Sequence, residues 1–321
     1  MSPGARNRAI VALKFAVAAL LMVLVARSTD WSRLGALLRE ARPAPLALAF
    51  ALFLVACGLT AVRWRVLLGA FPRSPSLVML TRISFIGIFL NTFIPGGVAG
   101  DLVRGLRIND KERSQASGFA SIFTDRFLGL CGLSVLAVAG AFSIRQELID
   151  VGLAGIFLGI IALLIALGVL FYNRRIGRLV ESVTARLGEG GARISRLLEA
   201  IRAYRGHGRR LALALGITFA SHLLFVLAIA VLARSLRIDL PWGHFMAFVP
   251  VIALLTSVPL SVNGLGIREA GYVLLFTRVG VLQEQAVGLS FLHFGLLILL
   301  GLVGGAVLAL ETFHGNRKRP V

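Results

Sequence analysis

Charged side chains stand within or directly after apolar runs at three places in this sequence: Asp101 with Arg104, Asp125 with Arg126, and Arg268 with Glu269. An ionisable group at the middle of a bilayer costs about 2.5–3.5 kcal/mol on insertion scales. Such groups therefore face the protein interior or a wet cavity and pair with one another. The three pairs predict polar sites buried among apolar helices.

The chemistry that these pairs suit is binding of a charged head group. A guanidinium group binds phosphate with two parallel hydrogen bonds, so the three arginines are candidate phosphate contacts. The three acids could compensate the arginines or bind a cationic group. With two asparagines added, the predicted head-group residues are Asn91, Asp101, Arg104, Asp125, Arg126, Asn263, Arg268 and Glu269. The alternative is an ion-pair network that only holds the helices together.

Two broken stretches carry most of these residues, and both contain the spacing Pro-x4-Gly-x3-Arg. Proline removes a backbone donor and glycine favours non-helical conformations, so each stretch should interrupt its helix. The predicted helix-breaking residues are Pro95, Gly96, Gly97, Gly100, Pro259, Gly264 and Gly266. Paired breaks at matching places in two halves indicate a transporter's binding site. Two ordinary loops with shared residue types are the alternative.

The composition is that of an integral membrane protein. Of the 321 residues, 57% are hydrophobic and 15% are charged, and the mean hydropathy is +0.86. A net charge of +19 would suggest nucleic-acid binding in a soluble protein. Here the arginines fall in loops between apolar runs, where anionic lipids and membrane topology account for them. We therefore expect membrane lipids, and no nucleic acid, as partners.

The apolar runs predict an all-α polytopic membrane protein with about six full spans and two broken, re-entrant helical hairpins. The predicted spans are 9–26, 44–68, 117–142, 151–172, 211–233 and 285–310, and the hairpins begin with 77–99 and 244–258. Arg27 stands where a signal peptide would need small residues, so the first run is read as an uncleaved span. Residues 27–43 are predicted to be a polar loop, and Arg63-Trp64-Arg65 an aromatic and basic anchor at the membrane surface.

The chain is predicted to be one membrane domain, 1–321, with two pseudo-repeat halves at about 1–172 and 211–321. A basic segment at 173–210 joins them, and its helical apolar spacing is typical of helices that lie on a membrane surface. Placing this segment and both termini in the cytoplasm puts most basic residues inside and makes the halves inverted repeats. A topology with the N-terminus outside and 77–99 as a true span fits the charges almost as well.

Few residues indicate a catalytic or metal centre. The sequence has no HExxH, GxSxG or P-loop motif, and Cys57 and Cys131 have neither disulfide nor zinc spacing. His222 and His293 lie inside spans, where we expect neighbouring helices to satisfy them. No enzyme activity, cofactor or metal is therefore predicted.

At its charged motifs the chain resembles the flippase-like transmembrane domain of lysylphosphatidylglycerol synthases, over about residues 10–310. The motifs are Asn91-x3-Pro-Gly-Gly-x2-Gly-Asp-x2-Arg104, Asp125-Arg126 and Pro259-x4-Gly-x-Gly-x-Arg-Glu269. The chain departs from the family at Asp125, where glutamate is more frequent. The soluble aminoacyltransferase domain of the full synthases has no counterpart here, which argues against synthesis of lysyl-lipid by this chain alone.

The resemblance implies a multi-pass protein of the inner, cytoplasmic membrane that moves a lipid between leaflets. The lipid would be an anionic or aminoacylated phospholipid or a polyisoprenoid-linked sugar, and a separate soluble transferase is a candidate partner. One alternative is an accessory membrane subunit or enzyme of lipid or glycan synthesis. Another is an ion or proton channel through Asp125 and Glu269.

Overall fold

The computed structural model describes residues 3–71, 75–94, 99–108, 115–150, 154–160, 162, 203–257, 261 and 263–316. Within these ranges the regular structure is helical, without strands, which confirms the predicted all-α polytopic fold. The helices are α1 (Pro3–Arg27), α2 (Trp31–Arg39), α3 (Pro43–Leu68), α4 (Leu77–Phe93), α5 (Ala99–Arg107), α6 (Gln115–Ser143), α7 (Arg145–Asp150), α8 (Gly208–Ser235), α9 (Trp242–Ser257), α10 (Ile267–Phe276) and α11 (Gln283–Asn316). Residues 154–160 are also helical, and 3-10 turns lie at Ala203–Gly206 and Thr277–Val279.

Among the described residues, four helices are long and apolar enough to cross a membrane by themselves: Pro43–Leu68, Ser117–Ser143, Gly208–Ser235 and Gln283–Phe313. At a rise of about 1.5 Å per residue each exceeds the roughly 30 Å of a bilayer's hydrocarbon core. They coincide with four of the predicted spans, in α3, α6, α8 and α11. Most of the predicted span 151–172, and the basic segment up to residue 202, lie outside the described residues.

The predicted polar loop at 27–43 is wrong in part, because it contains helix α2. Asp30 caps this helix: its side chain accepts hydrogen bonds from the backbone N–H groups of Ser32 and Arg33. Leu34 buries itself against Val25 of α1, which anchors the helix to the bundle. The bend between Phe15–Arg27 and Trp31–Arg39 is 88°, so this pair forms a broken span or a re-entrant element.

Two shorter apolar helices, α4 and α9, are the first arms of the predicted hairpins. Each precedes one of the predicted breaks, and α5 or α10 follows it. Pro95, Gly96, Gly97 and Pro259 lie outside the described residues. Gly100 falls in the first turn of α5, whereas Gly264 and Gly266 precede α10 with φ of +72° and +80°. Glycine adopts these left-handed angles without strain, which explains why glycine occupies both positions.

Helices α3, α4, α5 and α6 pack in a pattern that α8, α9, α10 and α11 repeat, each helix of the first set corresponding to one of the second in chain order. The two helices α3 and α8 pack against each other, α4 packs against α11, and α9 packs against α6. Two inverted repeats would produce this relation, in which each hairpin's first arm contacts the span that follows the other hairpin. The repeat relation itself stays a prediction.

Glycines permit these two outer contacts. A methyl group at Gly140 of α6 would overlap the backbone of Met246 and Ala247 in α9. Likewise, a methyl group at Gly304 of α11 would overlap the backbone of Phe85 in α4. Small residues let membrane helices approach closely, and close approach is the main source of packing energy where both sides are already apolar.

Candidate functional site

Asp125 is the centre of a buried ion network between α3, α6 and α8. Its Oδ1 atom accepts a hydrogen bond from Arg63 Nε at 2.6 Å, and only 3% of the Asp125 side chain is exposed. Arg63 Nη1 also donates to Thr218 Oγ1 at 3.2 Å. A buried carboxylate needs a partner of opposite charge and further hydrogen bonds, and these residues supply both.

Arg104 of α5 reaches the same carboxylate from the hairpin side. Its Nη2 atom lies 3.4 Å from Asp125 Oδ2, and its Nη1 atom lies 3.4 Å from Asp101 Oδ1. The guanidinium carbon lies 4.2 Å from the centre of the Trp64 ring, a cation–π distance. The remaining donor, the buried Arg104 Nε, has no hydrogen-bond acceptor among the residues that the structure describes.

Arg126 closes the network at its exposed end. Its Nε atom donates to Asp101 Oδ2 at 2.9 Å, its Nη2 atom lies 2.8 Å from the same oxygen, and 54% of its side chain is exposed. We call the five charged residues Arg63, Asp101, Arg104, Asp125 and Arg126 the Asp125 cluster. It holds three guanidinium groups and two carboxylates, so it carries one excess positive charge. Its members run from the buried Asp125 to the open Arg126.

Arg268 and Glu269 form a second group, which we call the Glu269 cluster together with Ser290. Arg268 Nη2 donates to Glu269 Oε1 at 2.7 Å, and Ser290 Oγ donates to the same oxygen at 3.1 Å. Glu269 Oε2 accepts from Gly266 N at 2.6 Å and so caps the first turn of α10. Arg268 also stacks on Phe294, with its guanidinium carbon 4.5 Å from the ring centre. In contrast to the Asp125 cluster, this group is balanced in charge and fully enclosed.

The two predicted asparagines connect the breaks at the end of α4. Asn91 Oδ1 accepts a hydrogen bond from Gly100 N at 2.8 Å, which ties α4 to the start of α5. Asn263 Nδ2 donates to the main-chain oxygen of Thr92 at 2.6 Å, which ties the second break to the next residue of α4. The two breaks therefore meet at adjacent residues of one helix end.

The structure divides the predicted head-group residues between these places. Asp101, Arg104, Asp125 and Arg126 come together in the Asp125 cluster, whereas Arg268 and Glu269 pair in the Glu269 cluster. Across the described ranges, no hydrogen bond or ion pair joins the two clusters. The histidines are satisfied by neighbouring helices as predicted: His222 Nε2 bonds to Gly129 O at 3.1 Å, and His293 Nδ1 to Tyr272 Oη at 3.1 Å.

Arg63 is the functional candidate that the sequence reasoning missed. The surface anchor predicted for Arg63-Trp64-Arg65 is wrong for its first two residues, which are buried, while Arg65 is exposed. In the structure Arg126 pairs with Asp101, and the closest partner of Asp125 is Arg63 of another helix. The signal in the sequence was that an acid inside a span needs a cationic partner, and Arg63 lies within the predicted span 44–68.

Comparison with known proteins agrees with this architecture. The sequence profile of the family described as "Lysylphosphatidylglycerol synthase TM region" matches residues 11–305. A UPF0104 membrane protein of Pyrococcus horikoshii is 28% identical over 298 residues, covering 84% of this chain and 87% of the relative. A UPF0104 membrane protein of Methanothermobacter thermautotrophicus is 24% identical over 316 residues, covering 88% of each. Since the family profile spans nearly the whole bundle and all three charged motifs, this multi-pass membrane protein belongs to the family of lysylphosphatidylglycerol synthase transmembrane regions.

Proposed function

We propose that this chain moves a phospholipid or a lipid-linked polar head group between the leaflets of the cell membrane. The observation that carries the proposal is the excess positive charge of the Asp125 cluster, together with Arg104 Nε, a buried donor without an acceptor in the described part of the chain. A cluster built only for stability would balance its charges and satisfy its buried donors. An anionic head group would do both here.

The graded exposure of the cluster supports passage of a head group as well as binding. A head group cannot cross about 30 Å of hydrocarbon without substitute solvation. The cluster offers charged groups at graded exposure, from Asp125 at 3% through Asp101 at 19% to Arg126 at 54% of the side chain. In this proposal the head group enters at Arg126, exchanges its contacts toward Arg104, and leaves its acyl chains in lipid.

The hydrogen bonds that Asn91 and Asn263 make at the end of α4 support a moving role for the hairpins. Backbone that leaves the helix at membrane depth must bond to protein or to water in a cavity. Asn91 and Asn263 supply part of this bonding from side chains, and a side-chain hydrogen bond can be exchanged without unwinding a helix. The Glu269 cluster holds α10 against α11, which gives the second hairpin a fixed base.

Family membership supports a lipid-related role. In this proposal the charged residues bind the head group and let it pass, without catalysis.

Purified protein in vesicles of phosphatidylcholine and phosphatidylglycerol tests the proposed translocation directly. Fluorescent phosphatidylglycerol in the inner leaflet is protected from an external quencher unless it crosses. We expect protein-containing vesicles to lose this protection at least about tenfold faster than protein-free vesicles. Equal rates would contradict the proposal and favour an accessory role in lipid or glycan synthesis.

A further inference from the structure

Tyr204 is a buried side chain that none of the sites above uses. It lies in the 3-10 turn Ala203–Gly206, at the end of the basic segment and directly before α8, and is 3% exposed. Its ring packs edge-to-face on Phe71, with centres 5.5 Å apart. Its hydroxyl has no hydrogen-bond partner in the part of the chain that the structure describes. Buried hydroxyl groups are nearly always bonded, so this one requires an explanation.

The contacts of the Tyr204 ring place it about one helical turn from the centre of the Asp125 cluster. It shares a small apolar core with residues of three helices, among them Leu67, Leu128 and Ala214. Each of these lies three or four positions along its own helix from a member of the Arg63–Asp125–Thr218 contact. Residues at that spacing lie on the same helix face, one turn apart. The ring therefore covers one end of that contact.

The surroundings of Tyr204 keep its hydroxyl protonated, so that it can donate a hydrogen bond. Burial raises the pKa of the Tyr204 phenol above its ordinary value, and the negative charge of Asp125 raises it further. The phenol is therefore protonated throughout the physiological range. Within the described residues two buried donors are then without an acceptor, Tyr204 Oη and Arg104 Nε. The Asp125 charge acts on the first, and the guanidinium that carries the second pairs with Asp125.

We propose that Tyr204 is a head-group-binding residue whose hydroxyl donates to an oxygen of a phosphate ester held by the arginines of the Asp125 cluster. A phosphate ester has several acceptor oxygens and a negative charge, which match the free donors and the excess positive charge. The turn at 203–206 then closes one end of the site, and the end of the basic segment becomes part of it. This inference rests on the proposed function and names the chemical class of its ligand.

The Tyr204→Phe variant tests the inference, since it removes only the hydroxyl. Binding is measured as the rise in thermal unfolding midpoint of the purified full chain in detergent. The three ligands are phosphatidylglycerol, a neutral glucosyl-diacylglycerol without phosphate, and inorganic phosphate. We expect phosphatidylglycerol affinity to fall about tenfold in Y204F, as for loss of one hydrogen bond to a charged group. The response to the glycolipid should stay unchanged, and inorganic phosphate should bind far more weakly than the lipid.

Two controls separate the hydroxyl from the packing. Phe71→Leu alters the ring contact and keeps the hydroxyl, so its phosphatidylglycerol affinity should stay within twofold of the unmodified protein. Without ligand, Y204F should be as stable as the unmodified protein, whereas Tyr272→Phe, which loses the bond to His293, should be less stable. Unchanged phosphatidylglycerol affinity in Y204F, an equal loss in F71L, or a marked loss of ligand-free stability in Y204F would overturn the inference. Inorganic phosphate binding as tightly as the lipid would also overturn it, because the ligand would then be a free anion.

The vesicle assay distinguishes a failure of this inference about Tyr204 from a failure of the proposed lipid translocation. If the unmodified protein moves no lipid but Y204F still weakens phosphatidylglycerol binding, the site stands and translocation fails. If the unmodified protein moves lipid and Y204F binds normally, translocation stands and the role of Tyr204 fails.

Discussion

Asn263 donates a hydrogen bond from its side-chain amide to the main-chain oxygen of Thr92 at 2.6 Å, across 171 positions of the chain. Asn91, the residue before Thr92, accepts from the backbone N–H of Gly100. The end of α4 therefore holds both breaks at once. A movement of one break relative to the other must therefore change one of these two contacts.

Substitution of Asn263 should reveal two separable contributions to stability. Asn263 has φ of +53°, which glycine adopts freely and alanine does not. Both Asn263→Gly and Asn263→Ala remove the amide, so only the backbone angle distinguishes them. We expect N263A to be less stable than N263G by about 1–2 kcal/mol. Denaturant unfolding in detergent measures this difference, and equal stabilities would show that the angle is not kept in solution.

Neutralising the Glu269 cluster should separate structural from functional roles of Arg268. Arg268→Leu alone leaves Glu269 buried without its charged partner, and we expect a loss of about 3–5 kcal/mol. The double variant R268L/E269Q removes both charges while the glutamine can still accept from Gly266 N. It should regain much of the lost stability. If this well-folded double variant moves lipid at the full rate, Arg268 and Glu269 have no part in head-group handling.

Gly140 and Gly304, at which two helices approach each other closely, should respond alike to a larger side chain. Gly140→Ala and Gly304→Ala each place a methyl group into a facing backbone, so each should lower the free energy of unfolding by about 1–3 kcal/mol. Gly216→Ala is the matched control, because no atom lies within 4 Å of the added methyl group. That variant should be neutral or slightly stabilised, as alanine favours helix. Tolerance of both crossing substitutions would contradict the close packing.

Much of this fold follows from sequence patterns, and the reasons for the misses are physical. Long apolar runs predicted α3, α6, α8 and α11, because twenty or so apolar residues have few alternatives to crossing a bilayer. Helix α2 was missed, since its amphipathic residues read as a polar loop until the Asp30 cap is recognised. The charged motifs identified Asp101, Arg104, Asp125 and Arg126, but which arginine meets which acid depends on helix rotation. Arg63 stands near the end of its span, where a surface anchor and a buried partner have the same sequence pattern.

The predicted topology can be tested by cysteine accessibility. With Cys57 and Cys131 replaced by alanine, single cysteines introduced near Arg6 and within 186–205 should react only from the cytoplasmic side. The reason is the excess of basic residues in these regions, which favours retention in the cytoplasm. Reaction near Arg6 with a reagent that cannot enter the cell would support the rival topology with an external N-terminus. Reaction within 186–205 would contradict both the basic segment's placement and the inverted repeat.

The rate of lipid crossing in Arg104→Gln vesicles tests whether the Asp125 cluster carries the head group. Arg63 still neutralises Asp125 in this variant, so folding should survive, while the charge and the free Nε donor that the head group needs are lost. The matched control is Arg237→Gln, which removes an exposed arginine whose ion-pair distance to Glu40 is 3.4 Å. We predict that R104Q slows fluorescent phosphatidylglycerol crossing by about tenfold or more, since a hydrogen bond to a charged group contributes roughly 1.5–3 kcal/mol, while R237Q crosses at the unmodified rate. A folded R104Q protein that moves lipid as fast as R237Q would show that Arg104 has no part in head-group passage.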